Sequence, residues 1–211
     1  MNDWQKKSQR VYEASDASES AERYDEWADR YDQDIEEIFG NYSPRHAVET
    51  FVEYVNKDAR ILDAGAGTGL VGEVLAEYGY QNVEALELSQ GMIEQARKKN
   101  IYAKIYQAAL GEKLDLPDTS YDAVIAKGVF APGHAPAGGF DELIRITKPS
   151  GYVLFTISQD NYSGSEYEQK VGELEKQRLW KLVEKTEPYN AWPKATKIIL
   201  HNIWVFQVLG E

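Results

Sequence analysis

The chain has 211 residues, 43% of them hydrophobic and 27% charged, which suits one globular domain with a modest extension. It has no cysteine, which excludes disulfides, thiol catalysis and thiolate metal sites, and no apolar run approaches the roughly 18 residues that a membrane-spanning helix needs. The formal net charge of −12 is weighted to the front, with 15 acidic against 7 basic residues over positions 1–58, and such a surface repels phosphate backbones and anionic membranes.

Neither nucleic acid nor membrane is therefore expected as a partner, and no metal site is expected. The start, Met1 to Lys7, has no apolar stretch behind its charges and does not read as a signal peptide, so a cytoplasmic address is expected. Residues 1–18 are polar and aperiodic and read as a flexible tail. Ala21, Tyr24, Trp27, Ala28, Tyr31, Ile35 and Ile38 then recur at spacings of three and four. That is an amphipathic helix with aromatic residues on its buried stripe, ended by Gly40-Asn41. Ser43 reads as an N-cap with Pro44 at the first helical position, and Val48, Phe51, Val52 and Val55 form the apolar face of a second helix. A helical lid or cap over 19–57 is thus expected ahead of a main domain at 58–211.

From Arg60 strands and helices alternate. Ile61 to Asp63 reads as a short buried strand, and Val71, Val74, Leu75 and Tyr78 as a helix that stops at Gly79. Val83–Glu87 is a second strand, Gly91–Lys99 a helix, Ala103–Gln107 a third strand and Tyr121–Ala126 a fourth. Phe140–Thr147 is helical, Lys148 to Gly151 a turn, and Tyr152–Ile157 a fifth strand. Tyr167, Val171 and Leu174 mark one more helix, and two late β segments, Trp180–Thr186 and Ile203–Leu209, close the chain. This alternation implies an α/β fold with a mainly parallel sheet covered on both faces.

The informative stretch is Ile61-Leu62-Asp63-Ala64-Gly65-Ala66-Gly67-Thr68-Gly69, a buried strand running into a glycine-rich turn that opens a helix. Glycines there permit positive φ and let a ligand approach the backbone. The site lies at the carboxyl end of the first strand, where open α/β sheets bind ligands. Glu87 ends the second strand, where a carboxylate can accept hydrogen bonds from both ribose hydroxyls of a nucleoside. Gly67 to Gly72 also satisfies G-x-G-x-x-G, a weak pattern on its own. In a dinucleotide fold the pattern's first glycine comes directly off the strand and the helix N-terminus faces a pyrophosphate. Here Asp63 stands at the strand's end, a poor neighbour for pyrophosphate and a good one for a cation. S-adenosylmethionine (SAM), with its ammonium and sulfonium, is favoured over a nicotinamide dinucleotide.

These residues resemble the class I SAM-dependent methyltransferases. The run from Asp63 to Gly69 is similar to the first motif of that family, and Leu86-Glu87-Leu88-Ser89 with Gly91-Met92 to its second-strand acid and turn. Leu116-Pro117 followed by Ser120-Tyr121-Asp122-Ala123-Val124 resembles its fourth-strand motif, and Thr147-Lys148-Pro149-Ser150-Gly151 the turn before its fifth strand. Tyr24-Asp25-Glu26-Trp27-Ala28 with Tyr31-Asp32 resembles the aromatic-acidic helix that precedes many such domains. Within the family the chain is most similar in look to the branch containing the Williams-Beuren syndrome region methyltransferase-like protein. The resemblance implies a Rossmann-like, doubly wound, seven-stranded, mostly parallel sheet with an antiparallel last strand and a helical N-terminal extension. It implies that Asp63 and the backbone of Ala64, Gly65, Ala66 and Gly67 hold the methionine moiety of SAM. Glu87 would hold the ribose, with Leu88 and Met92 packing near the adenine and Ala109 and Leu110 lining it. Ala126 and Lys127 would offer backbone groups to the methionine ammonium, and Tyr24 and Tyr31 would close over the cofactor. One departure stands out: the family often has an acid after the third strand, and here the chain reads Gln107-Ala108-Ala109-Leu110.

Methyl transfer needs alignment of a nucleophile and exclusion of water, and a general base only for a protonated acceptor. The family therefore has no fixed catalytic residue to carry over. His134, in the loop after the fourth strand, is the local candidate base; its plainer reading is a loop histidine facing water. His46 and His201 read as structural. Tyr162, Tyr167, Tyr189 and Trp192 could line an aromatic acceptor pocket, and Asp160-Asn161 could reach the site or merely cap a loop. The expected activity is methyl transfer to the O, N or C nucleophile of a small molecule by a monomer or homodimer. A non-catalytic SAM-binding protein is the alternative, and an NAD-linked oxidoreductase a more distant one.

Overall fold

The structure is a computed structural model and describes residues 14, 16–39, 42–194 and 198–210. Five strands run parallel: β1 (Ile61–Ala64), β2 (Val83–Glu87), β3 (Lys104–Gln107), β4 (Tyr121–Lys127) and β5 (Thr147–Ser158). The chain then forms β6 (Trp180–Lys185), the two-residue β7 (Tyr189–Asn190) and β8 (Leu200–Val208). β8 runs antiparallel to β5, and both β6 and β7 pair antiparallel with β8. The order across the sheet is β3-β2-β1-β4-β5-β8-β6. The expected seven strands and the antiparallel last strand are present, and β7 is a short addition.

Side chains alternate between the two faces, as the period of a strand requires. On one face Leu62, Val124, Phe155 and Phe206 pack with Phe140 and Leu143 of α6 (Gly139–Ile146), with Val171 of α8 (Glu166–Lys176), which follows the short α7 (Gln159–Tyr162), and with Trp180. On the other, Ile61, Ile125, Leu154 and Ile203 meet Val48 and Phe51 of α3 (Tyr42–Phe51) and Val71 and Leu75 of α4 (Leu70–Glu77). Burial on both faces explains why β1, β4 and β5 read as near-continuous apolar runs.

The N-terminal segment differs from expectation in three places. Its first helix, α1 (Ala17–Trp27), begins at Ala17 because Asp16 accepts the Glu19 N–H as N-cap at 2.9 Å, so residues 17 and 18 belong to the helix. Residues 1–13 and 15 of the expected tail lie outside the described residues. A 3₁₀ turn at Ala28–Arg30 then divides the expected single helix, and α2 (Tyr31–Phe39) follows. The Gly40-Asn41 stop lies outside the described residues, and α3 begins at Tyr42, so Ser43 sits in its first turn and its hydroxyl meets Tyr189 Oη at 3.3 Å.

The break at Ala28–Arg30 lets acids one turn apart reach different partners. Asp25 Oδ1 accepts the Ser89 hydroxyl at 2.5 Å and the Gly91 N–H at 2.8 Å, so it caps α5 (Gln90–Lys99) from another helix. A Cβ on Gly91 would lie 3.0 Å from Asp25 Cα, so glycine allows this approach. Asp29 accepts from Gln95 at 2.6 Å, and Asp32 pairs with Lys99 at 2.7 Å and accepts the Thr68 hydroxyl. The acids of the Tyr-Asp-x-Trp motif thus fasten the N-terminal helices to α5 and the glycine turn. The expected turn at 148–151 is instead part of β5, which begins at Thr147 and carries an irregularity there: pairing shifts between Tyr121 and Ala123 and Ser150 takes φ 67°.

Candidate functional site

The glycine turn is set by backbone demands. Gly65, Gly67 and Gly69 have φ of 76°, 56° and 94°. The Gly65 and Ala66 N–H groups donate to the Leu86 carbonyl at 2.7 and 3.0 Å, which folds the turn back over β2. A Cβ on Gly65 would lie 2.4 Å from Val129 Cγ2, whereas one on Gly67 would meet nothing within 4 Å. Gly67 therefore faces open space. Gly72 has a different job: its missing Cβ leaves room for Tyr102, whose hydroxyl oxygen would be 2.4 Å away. The third glycine of the G-x-G-x-x-G pattern thus seats an aromatic ring rather than serving a pyrophosphate.

Tyr102 escaped sequence reasoning; the only signals were a tyrosine just ahead of the third strand and a helical glycine to receive it. Its hydroxyl donates to Asp63 Oδ2 at 2.5 Å. Asp63 is buried, and burial raises its pKa to about 7 against the opposing hydrogen bond from Tyr102. Lys127 lies close enough for the two charges to act on one another, and burial lowers its pKa to about 8 while the Asp63 charge resists. Glu87 is held by three backbone donors: Gly67 N–H to Oε2, and Leu88 and Ser89 N–H to Oε1, each at 2.8 Å. Burial nonetheless raises its pKa, the three donors opposing.

A cavity runs along the carboxyl edge of the sheet from the segment after β3 to the start of β8. It gathers Tyr24, Tyr31, Gly65, Gly67, Glu87 and Leu88 of the expected site residues, and also Met92, Ala109, Leu110, Lys127 and His134. Asp63, Ala64, Ala66 and Ala126 are not in its wall. Ala64 and Ala126 turn their side chains into the apolar core, and Asp63 is buried beside Tyr102. Gln107, where an acid was expected, donates to the Leu88 carbonyl at 3.1 Å, and Ala108 joins Ala109 and Leu110 in the wall.

The other end holds residues that sequence reasoning undervalued. His201, read as structural, lines the cavity with Thr156, Ala191 and Trp192. Of the four candidate acceptor aromatics, Trp192 is in the wall. Tyr167 is buried with its hydroxyl on the Ala135 carbonyl at 3.0 Å, Tyr162 packs on Trp204, and Tyr189 packs on His46 at 4.6 Å between ring centroids. A smaller cavity containing Asp160 and Asn161 shares Gly128, Thr156, Trp192 and His201 with the first.

The N-terminal helices form the roof. Tyr24, Trp27 and Tyr31 pack as one aromatic group, with centroids 4.9 Å apart for Trp27 and Tyr31, and Trp27 Nε1 is fixed by Asp34 at 2.7 Å. Tyr24 Oη lies 2.9 Å from His134 Nε2, joining the roof to the loop after β4. His134 Nδ1 sits 3.1 Å from the Pro132 carbonyl, which fixes the proton on Nδ1 and leaves Nε2 to accept from Tyr24. Burial lowers the His134 pKa, so the ring is neutral near pH 7. It is not the water-facing loop histidine of the plainer reading.

A doubly wound sheet with a glycine turn, an acid at the end of β2 and a cleft at the topological switch between β1 and β4 defines a nucleoside-binding α/β protein. Comparison with known proteins narrows the class. The methyltransferase domain family matches residues 62–155. Human methyltransferase-like protein 27 is 33% identical over 186 residues, which are 84% of this chain and 72% of that protein. The demethylmenaquinone methyltransferase of Clavibacter sepedonicus is 36% identical over 97 residues, 45% of this chain and 39% of its own length. A chain of the Haloferax volcanii complex between a methyltransferase activator and a methyltransferase superposes with TM-score 0.67 at 17% identity, covering 89% of this chain and 98% of that one, and so shares the fold. The chain belongs to the class I SAM-dependent methyltransferases, and its cofactor is S-adenosylmethionine. Among the described residues no helix is long and apolar enough to cross a membrane.

Proposed function

We propose that the chain transfers a methyl group from SAM to the O, N or C nucleophile of a small-molecule acceptor, releasing S-adenosylhomocysteine. The observation that carries this reading is the cleft wall at β1 and β2. Glu87 has its carboxylate oriented by three backbone N–H groups beside Gly67, which has no side chain to obstruct a ligand. A carboxylate so fixed is a ready acceptor for two vicinal ribose hydroxyls. Leu88, Met92, Ala109 and Leu110 supply an apolar slot beside it for a flat base. Bound there, the cofactor supplies a methyl group already activated by positive sulfur.

This chain's residues then divide the remaining work. The backbone of Gly65, Gly67 and Lys127, the members of the expected set that line the cleft, faces the amino-acid end with its carbonyls, since the Gly65 and Gly67 N–H groups are bonded within the turn, and Asp63 adds negative potential from behind it. Residues 19–57 act as the lid over the main domain, in which Tyr24 and Tyr31 keep water out and present ring faces to a cation. His134 takes a proton at Nε2, through the Tyr24 hydroxyl that now donates to it, when the acceptor is an alcohol or a phenol. A small acceptor is favoured because the cleft is roofed by aromatic side chains and the surface is acidic.

Incubation with methyl-labelled SAM and a fractionated small-metabolite extract tests the reading. Label is expected in a small product together with S-adenosylhomocysteine. Tight SAM binding with no transfer to any fraction would make the chain a non-catalytic SAM-binding protein instead.

A further inference from the structure

Lys127 is a lysine where packing asks for none. Ala123, Ile125 and Lys127 share one face of β4, and the first two are buried in an apolar core. At the next position of that face the side chain enters the cleft. Among the described residues its ammonium makes no hydrogen bond and no ion pair. The acids nearby are committed elsewhere, Asp63 to the Tyr102 hydroxyl and Glu87 to three backbone donors. A cation half-shielded from water, with the charge of Asp63 nearby but no hydrogen bond or ion pair, is costly unless an anion meets it.

Its surroundings are arranged for an anion as well. Lys127 pairs in register with Thr156 on β5. Thr156 Oγ1 accepts the Gly128 N–H at 2.9 Å, which leaves the hydroxyl proton to be donated into the cleft. His201 on β8, facing Ser158, lies in the same wall, and burial, helped by the Lys127 charge, holds its pKa down to about 4. It is therefore neutral and does not compete as a cation.

We infer that Lys127, with the Thr156 hydroxyl beside it, is the receptor for a ligand carboxylate inside the cleft. The inference rests on the cofactor reading above and specifies the chemistry of the far end of that site. Two carboxylates have this chemistry: that of the cofactor's own amino-acid tail, and an acid group on the acceptor. Lys127 stands two strands from Glu87, about 10 Å at the usual strand spacing. A nucleoside's amino-acid tail spans that distance, and an acceptor entering from the β8 side reaches the same point.

Calorimetric titration of the full chain separates these sources. Wild type, Lys127→Met and Lys127→Arg are titrated with S-adenosylhomocysteine and with its decarboxylated analogue, which keeps the amine. Each is then titrated with benzoate in saturating S-adenosylhomocysteine. If the carboxylate is the cofactor's, wild type prefers S-adenosylhomocysteine over the analogue by about tenfold or more, Lys127→Met abolishes the preference and Lys127→Arg restores part of it. If it is the acceptor's, the preference survives in Lys127→Met while benzoate binds the wild-type complex and not the variant. The inference is overturned if Lys127→Met changes neither quantity, or weakens both nucleosides equally as a packing defect would. Wild type that binds neither nucleoside sinks the cofactor reading instead, and benzoate titration of the protein alone still reads the receptor.

Discussion

At the β1–β2 end of the cleft the hydrogen-bonding groups around Glu87 are main chain. Gly65, Gly67 and the N–H groups of Leu88 and Ser89 lie between residues 65 and 89, and Glu87 is the one side chain they orient. At the β5–β8 end the wall is side chain, contributed by Thr156, Trp192 and His201, with Tyr24 reaching His134 across 110 positions. Backbone geometry has to be repeated by any chain that binds the same nucleoside, so it leaves a compact motif. Side chains gathered from remote elements can be exchanged one at a time to fit an acceptor, and they leave no motif. The first end is read from the sequence; the second has to be seen folded.

The largest expected effect breaks the first end. Glu87→Ala removes an anchored carboxylate and leaves three N–H donors to water, and S-adenosylhomocysteine affinity is expected to fall by roughly a hundredfold, about 3 kcal/mol, by calorimetry. A loss under threefold would mean that Glu87 is a structural brace for the turn. The matching change at the other end is His134→Gln. With an alcohol or phenol acceptor its kcat is expected to drop about a hundredfold while S-adenosylhomocysteine affinity stays within about threefold. Equal loss of both quantities would show that the two ends are not separable.

Much of the fold was legible. β2 was expected at Val83–Glu87 and is found there, and β1 and α5 differ from expectation by a residue, because apolar runs and glycine stops are local signals. The 3₁₀ break at Ala28–Arg30 was not legible, since the helical period continues through it and the acids that reach α5 and Thr68 have no partner within the segment. The Tyr102–Asp63 bond and the electrostatic contact between Asp63 and Lys127 were hidden for the same reason: each joins residues far apart in the chain, on separate elements. His201 carries no sequence pattern, and only the return of β8 beside β5 brings it to the cleft.

The third expectation concerns pH and sharpens the contrast at Asp63. Its folded pKa of about 7 lies above its ordinary value near 4, so between these pH values the folded chain holds a proton that the unfolded chain has lost. Stability is present below that window and is lost as pH rises through it. Asp63→Asn keeps an acceptor for Tyr102 and removes this loss, although Lys127 gives up its counter-charge. Its Tm is expected to match wild type at pH 4 and to exceed it at pH 8 by a few degrees, on the order of 1–2 kcal/mol. A variant less stable at both values would assign Asp63 a packing role.

The smallest effect tests the fastening of the roof. Asp25→Ala removes the carboxylate that caps α5 from α1, and a lost cap costs about 1 kcal/mol, so Tm should fall by about 2–4 °C. Hydrogen exchange should rise in residues 17–39 while β1 and β4 stay protected. Uniform loss of protection would show that roof and sheet open together.

The most direct measurement is a crystal structure with S-adenosylhomocysteine bound. The expected result is a ribose on Glu87, a base among Leu88, Met92 and Leu110, and sulfur facing the space between Tyr24, His134 and Trp192. A nucleoside bound away from Glu87, or with its sulfur turned from that space toward solvent, would contradict the account.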